Sequence, residues 1–110
     1  MLAAVTLAAG CRKAEYGKCQ AATKNFATLQ YWSEAEPVIA AAPVAERNAL
    51  RKLKIAELEQ KLADGIDMAI SQCQSANNDG QIECMTSALT WADAKQCSEA
   101  WDTSGGCGSR

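Results

Sequence analysis

A chain of 110 residues holds at most one domain, and with three Trp, two Tyr and one Phe its core must come largely from Ala and aliphatic side chains. Such a core buries little apolar area per residue, so six cysteines in so short a chain point to disulfide support and an oxidising compartment. The net charge of −2 argues against a nucleic-acid partner, and the absence of His removes the commonest general base and metal ligand, so no metal or cofactor is expected.

The apolar run over residues 2–10 is shorter than the about 20 residues that span a bilayer. It has the size of a signal-peptide core that ends in small residues. Its last part, Leu7-Ala8-Ala9-Gly10-Cys11, resembles the lipobox of bacterial lipoproteins, with the leucine one position further from the cysteine than that family prefers. The resemblance implies cleavage before Cys11, lipid attachment at Cys11 and hence a membrane anchor. Arg12, as a residue other than Asp after the cysteine, implies outer-membrane sorting. Residues 1–10 are therefore expected to be a signal peptide-like segment and 11–13 a tether. Charge is uneven along the chain: residues 12–61 carry nine basic and six acidic side chains, whereas 64–102 carry seven acidic ones and Lys95. The ordinary meaning is two solvated faces of opposite sign. The sharper one is a basic half lying near an anionic membrane surface.

Over residues 14–32, Tyr16, Cys19, Ala22, Phe26 and Leu29 recur at spacings of three and four, which predicts one apolar stripe on a helix. Ser33-Glu34-Ala35-Glu36 has the form of a capping box opening a new short segment, and Pro37 and Pro43 interrupt any continuous helix there. Residues 44–73 form the longest predicted helix. Its stripe holds Ile55, Leu58, Leu62, Ile66, Ala69, Ile70 and Cys73, with Leu50, Leu53 and Met68 on the other side. Glu57 and Lys61 are spaced as a favourable pair. Asn77-Asn78-Asp79-Gly80 is a turn signal, followed by a short helix over 81–89. Thr90 caps a last helix that places Ala94, Cys97 and Trp101 together, and Asp93 lies near its positive end. Residues 102–110 lack periodicity and are expected to be a disordered tail. With no alternating apolar and polar runs, strands are not expected. The predicted fold is all-α: a small, disulfide-stapled bundle over residues 14–101, of two longer helices plus a short C-terminal helical hairpin.

With Cys11 assigned to lipid and Cys107 to the tail, Cys19, Cys73, Cys84 and Cys97 remain, and four cysteines allow three pairings. Cys84 and Cys97 are equidistant from the Thr90-Trp91 turn, so a hairpin brings them level. Cys19 and Cys73 each lie on the apolar stripe of a long helix, so antiparallel packing buries both. The favoured set is therefore Cys19–Cys73 with Cys84–Cys97. The rival joins Cys73 to Cys84 across the NNDG turn and leaves Cys97 to Cys19. Metal binding and redox catalysis both favour close pairs such as CxxC, which are absent. The matched nine-residue spacings of twin-CX9C hairpins are absent too.

The segment ISQCQSANNDGQIECMTSALTWADAKQC resembles a helical cysteine pattern in small exported proteins of myxobacteria and related bacteria. In that pattern one cysteine ends a helix, a second follows a turn, an Ala sits four residues on and a third closes the next helix. Cys73, Cys84, Ala88 and Cys97 match that order, whereas the Trp often found in the first gap is replaced here by Ser75-Ala76-Asn77-Asn78. The resemblance implies export and a disulfide-held structure, and it carries no activity.

Catalytic residues are not expected. Asp64 with Asp67 and Glu57 with Glu59 are ordinary helical surface acids without apolar flanks. Without His, a hydroxyl nucleophile would need a lysine, and nothing places a serine beside Lys95. Gly105-Gly106 does not open a helix, so no phosphate cradle is indicated. Trp32, Trp91 and Trp101 stand at element ends, where Trp forms a core edge with its N–H kept wet or a recognition patch for a partner. The expected function is that of a non-catalytic envelope lipoprotein, held to the membrane through lipid on Cys11, with an accessory role toward an envelope protein. The alternative is a secreted, disulfide-stabilised helical protein that is structural or binds a small ligand.

Overall fold

The computed structural model describes residues 14–99. The expectations placed on Cys11, Trp101, Cys107, the signal-like segment and the tail lie outside these residues. Four helices follow one another: α1 (Tyr16–Ala41), α2 (Arg47–Ala76), α3 (Asp79–Ser87) and α4 (Trp91–Glu99), with a short 3-10 turn at Val44–Glu46 ahead of α2. The described chain is thus all-α, two long helices plus a short helical hairpin, as the periodicity predicts.

The break expected at residues 33–37 does not occur, because α1 runs through Pro37 to Ala41. Pro37 is exposed and costs the helix only the N–H that would have reached the Ser33 carbonyl. Ser33 does not cap either; its hydroxyl donates to the Gln30 carbonyl at 2.6 Å, one turn back in the same helix. The chain reverses at Pro43 instead. There Arg47 closes α1 from outside, donating through Nε to the Ala42 carbonyl and through Nη2 to the Ala40 carbonyl, both at 2.9 Å. Those are carbonyls that a helix end leaves without partners. The two long helices are therefore nearly symmetric about Pro43.

Links across this hairpin step along it in antiparallel register. Glu36 meets Arg51 near the turn, Tyr31 meets Glu57 midway, and Cys19 is bonded to Cys73 at the open end. Just beyond, the backbone of Ala14 donates to the Gln74 carbonyl at 3.2 Å and the Gln74 amide returns a bond to the Ala14 carbonyl.

The NNDG turn divides its work between two asparagines. Asn77 takes the left-handed conformation (φ 49°) that ends α2, its N–H bonding the Cys73 carbonyl, a geometry Asn tolerates better than branched residues. Asn78 then caps α3, its side chain accepting from the Gln81 N–H at 3.0 Å. Helix α3 starts earlier than the periodicity indicates and stops at Ser87, which leaves Leu89 outside it and exposed. Thr90 caps α4 as expected, accepting from the Asp93 N–H at 3.1 Å.

Both short helices pack on the first half of α1, through Ala22, Asn25 and Phe26 among other residues. The core therefore sits at the open end of the hairpin, where Ala14, Cys19, Ala22, Ile70 and Ile82 cluster with Ile66, Cys73 and Met85 packed around them. Toward the turn only α1 and α2 continue, and Ala35, Ile39 and Leu58 are the buried apolar residues there. The described chain is thus a four-helix base from which a two-helix arm extends. Tyr16 at the start of the α1 stripe and Ile55 at the start of the α2 stripe are exposed, as are Leu53 and Met68 on the other side of α2, while Leu50 is half-buried.

Candidate functional site

Of the sites proposed from sequence, the structure joins Cys19 to Cys73 and Cys84 to Cys97, with Cα atoms 5.8 Å apart in each pair. The rival pairing is thereby set aside. Two such bridges fit an oxidising, non-cytoplasmic environment, and no helix among the described residues is long and apolar enough to cross a membrane.

Trp32 and Trp91 do not come together. Trp91 opens α4 and packs edge-on against Phe26 of α1, with ring centroids 5.2 Å apart, so it closes the seam between base elements. Trp32 lies out on the arm, half-buried and edge-on to Tyr31. Trp101 lies outside the described residues.

Around Trp32 the arm forms a groove of about 530 Å³. Lys24, Thr28 and Trp32 supply one wall, each a helical turn after the last, while Ile55, Leu62 and Ile66 supply the other. Four-residue spacing puts the first three in one row along α1. The floor is Leu58, which also underlies a groove of about 360 Å³ on the opposite face, lined by Thr23, Ala27, Gly65 and Ala69. Both grooves exist for one reason: two helices cannot enclose a core, and α3 and α4 end before reaching the arm. The first has an apolar bed with Lys24 and Glu59 at its edges, a combination that suits the apolar face of an amphipathic helix.

Tyr31 lines the second groove and ties α1 to α2. Its hydroxyl donates to Glu57 Oε1 at 2.6 Å, and Lys54 reaches the same oxygen at 3.5 Å. Desolvation, the hydrogen bond to Glu57 and its negative charge push the Tyr31 pKa up to about 12. Glu57 moves the other way, held below its ordinary value by the Tyr31 hydrogen bond and then by Lys54 and Lys61. The expected Glu57–Lys61 pairing is thus a longer-range attraction, with Lys54 the closer partner. Glu36 is likewise lowered, by its hydrogen bonds to Arg51. These are the shifts of ion pairs and cross-helix ties, and each holds its charged or protonated form through neutral pH. Among the described residues no group of three or more His, Cys, Asp or Glu converges as a metal site.

Sequence reasoning passed over Tyr31 and Asn25. The Asn25 amide donates to the carbonyls of Met85 at 2.7 Å and Ala88 at 2.9 Å, capping the end of α3 from across the base. The available signal was local: a polar Asn directly beside Phe26 on the stripe, and a Tyr directly beside Trp32. No protein-family model, curated protein or solved structure matches the chain.

Proposed function

We propose that the chain is a non-catalytic envelope lipoprotein, anchored through lipid on Cys11, that presents its two-helix arm to a protein partner in an accessory role. The observation that carries the binding part is the groove beside Trp32, an apolar bed on an arm too thin to cover it, edged by Lys24 and Glu59. The disulfides support export, because thiols in reducing cytosol stay unpaired. The anchor rests on the resemblance of Leu7-Ala8-Ala9-Gly10-Cys11 to a lipobox. Several acyl chains at about 0.8 kcal/mol per buried methylene would make attachment lasting.

Intact mass of the membrane fraction tests the anchor. A chain that begins at Cys11 with added acyl mass is the expected result. The same start without acyl mass, found in the soluble fraction, would favour the secreted alternative. For the partner, a photo-crosslinking residue at position 32 is expected to capture one discrete protein, and the same residue at Val44, exposed at the turn, is not. Equal capture from both positions would remove the groove from the proposal.

A further inference from the structure

The two disulfides are placed differently. Cys19 is fully buried, and its bridge to Cys73 lies among Ala22, Ile70 and the paired ends of Ala14 and Gln74. Cys84 stands on the exposed side of α3, bonded to Cys97 of α4, which is 5% exposed. Helix α4 spans nine residues, too few to stay helical unaided in water. Apart from the bridge, it is held by Trp91 against Phe26, by buried Ala94 and by the buried Gln81 amide donating to the Cys97 carbonyl at 3.3 Å. The bridge is therefore the covalent latch of a nine-residue helix, with one half facing solvent.

We infer that Cys84 is a site of thiol–disulfide exchange with small thiols, and that exchange there unlatches α4 from the base. An incoming thiolate forms a new S–S bond with Cys84 Sγ as the Cys84–Cys97 bond breaks. The electron pair leaves on Cys97 Sγ, which takes a proton from solvent. One disulfide and one thiol enter and one disulfide and one thiol result, so no separate oxidant or reductant is needed. Attack falls on Cys84 because access governs the choice of sulfur: Cys84 is exposed, Cys73 is half-buried against the core cluster, and Cys97 and Cys19 are covered. Once Cys97 is free, its carbonyl bond, the Trp91–Phe26 contact and buried Ala94 remain without a covalent tie and do not keep a nine-residue helix closed, so Phe26 becomes accessible. The charged residues over 79–98 are Asp79, Glu83, Asp93 and Lys95, and Glu15 and Lys18 at the start of α1, which share a surface with Asp79 and Glu83, offset each other. That balance favours a cationic small thiol over an anionic one.

The test uses the whole protein. Free thiols are first blocked with iodoacetamide, cysteamine is added, and newly released thiols are trapped with N-ethylmaleimide before peptide mass mapping and amide hydrogen exchange. The expected product carries cysteamine on Cys84 and maleimide on Cys97, forming at least about tenfold faster than any modification at Cys19 or Cys73, as a local opening outpaces a global one. Amide protection over 91–98 falls with it while α1 and α2 keep theirs. Glutathione at equal thiolate concentration reacts more slowly at low salt, and the gap narrows as salt rises. An adduct on Cys97, equal rates at the two bridges, or unchanged protection over 91–98 after the bridge opens would each overturn the inference. Glutathione matching or outrunning cysteamine at low salt would overturn its choice of thiol.

Discussion

Asn25 is a single amide doing what a capping residue does, from another helix. The last carbonyls of α3 have no partner within their own helix, and Asn25 Nδ2 supplies one to Met85 and to Ala88, in a partly buried setting. Removing it strands those acceptors, so Asn25→Ala is expected to destabilise the fold by about 1–3 kcal/mol. Asn25→Asp should be worse than Ala, because it turns a carboxylate toward two carbonyl oxygens; an Asp variant more stable than the Ala variant in urea unfolding would contradict the assignment. Tyr31 makes a second prediction, this one with a pH signature. Its pKa rises from the ordinary 10.0 to about 12 on folding, so the proton is held more tightly by the folded chain. The stabilisation is fully present below pH 10 and is lost as pH climbs toward 12. The gap in Tm between the protein and Tyr31→Phe should hold steady from neutral pH to about 9 and then close over that window. A gap that does not change with alkaline pH would mean that the hydroxyl is not tied to Glu57 in solution.

Helices and their ends show where sequence reasoning succeeds and where it stops. The stripe of α2 from Leu58 onward and the level placement of Cys84 and Cys97 about Thr90 follow from local rules, a period of 3.6 residues and a cap, and the structure keeps both while leaving Ile55 exposed. Pro37 obeys a local rule as well, yet the helix passes through it. The loss is one hydrogen bond on an exposed face, and burial of Ala35 and Ile39 on either side of it keeps the segment helical. That compensation depends on α2 lying alongside, which no stretch of α1 can announce. The site divides in the same way. Trp32 was legible as a residue to watch, but its separation from Trp91 was not, because it follows from α3 and α4 ending on the base and leaving the arm bare. If Pro37 is a tolerated interruption, Pro37→Ala restores the donor for Ser33 and should raise stability by about 1–3 kcal/mol, read as a higher Tm. A lower Tm would show that the proline is needed, for instance to stop a competing register of the hairpin.

The described chain as a whole divides into a stapled base and an arm held by exposed ties, and the two staples should not contribute equally. Cys19–Cys73 closes a loop with a sequence separation of 54 and Cys84–Cys97 one of 13. In the chain-entropy account these are worth about 4 and about 3 kcal/mol. Burial widens the difference. Ala at fully buried Cys19 and half-buried Cys73 also forfeits packing in the central cluster, whereas in the second bridge exposed Cys84 forfeits little and only buried Cys97, outside that cluster, loses packing. The folding consequences differ in kind as well as size. Without Cys19–Cys73 the open end of the hairpin is held by apolar packing and the Ala14–Gln74 bonds alone, so the core and both long helices should loosen together. Without Cys84–Cys97 only α4 loses its covalent tie, and α1 with α2 should remain folded. Cys19→Ala with Cys73→Ala is therefore expected to lower the urea midpoint and to reduce amide protection throughout α1 and α2. Cys84→Ala with Cys97→Ala should lower the midpoint less and confine the loss to 91–98. Equal midpoints, or loss of protection across the hairpin in the second variant, would mean that the short helices hold the long ones together, rather than resting on a base that stands without them.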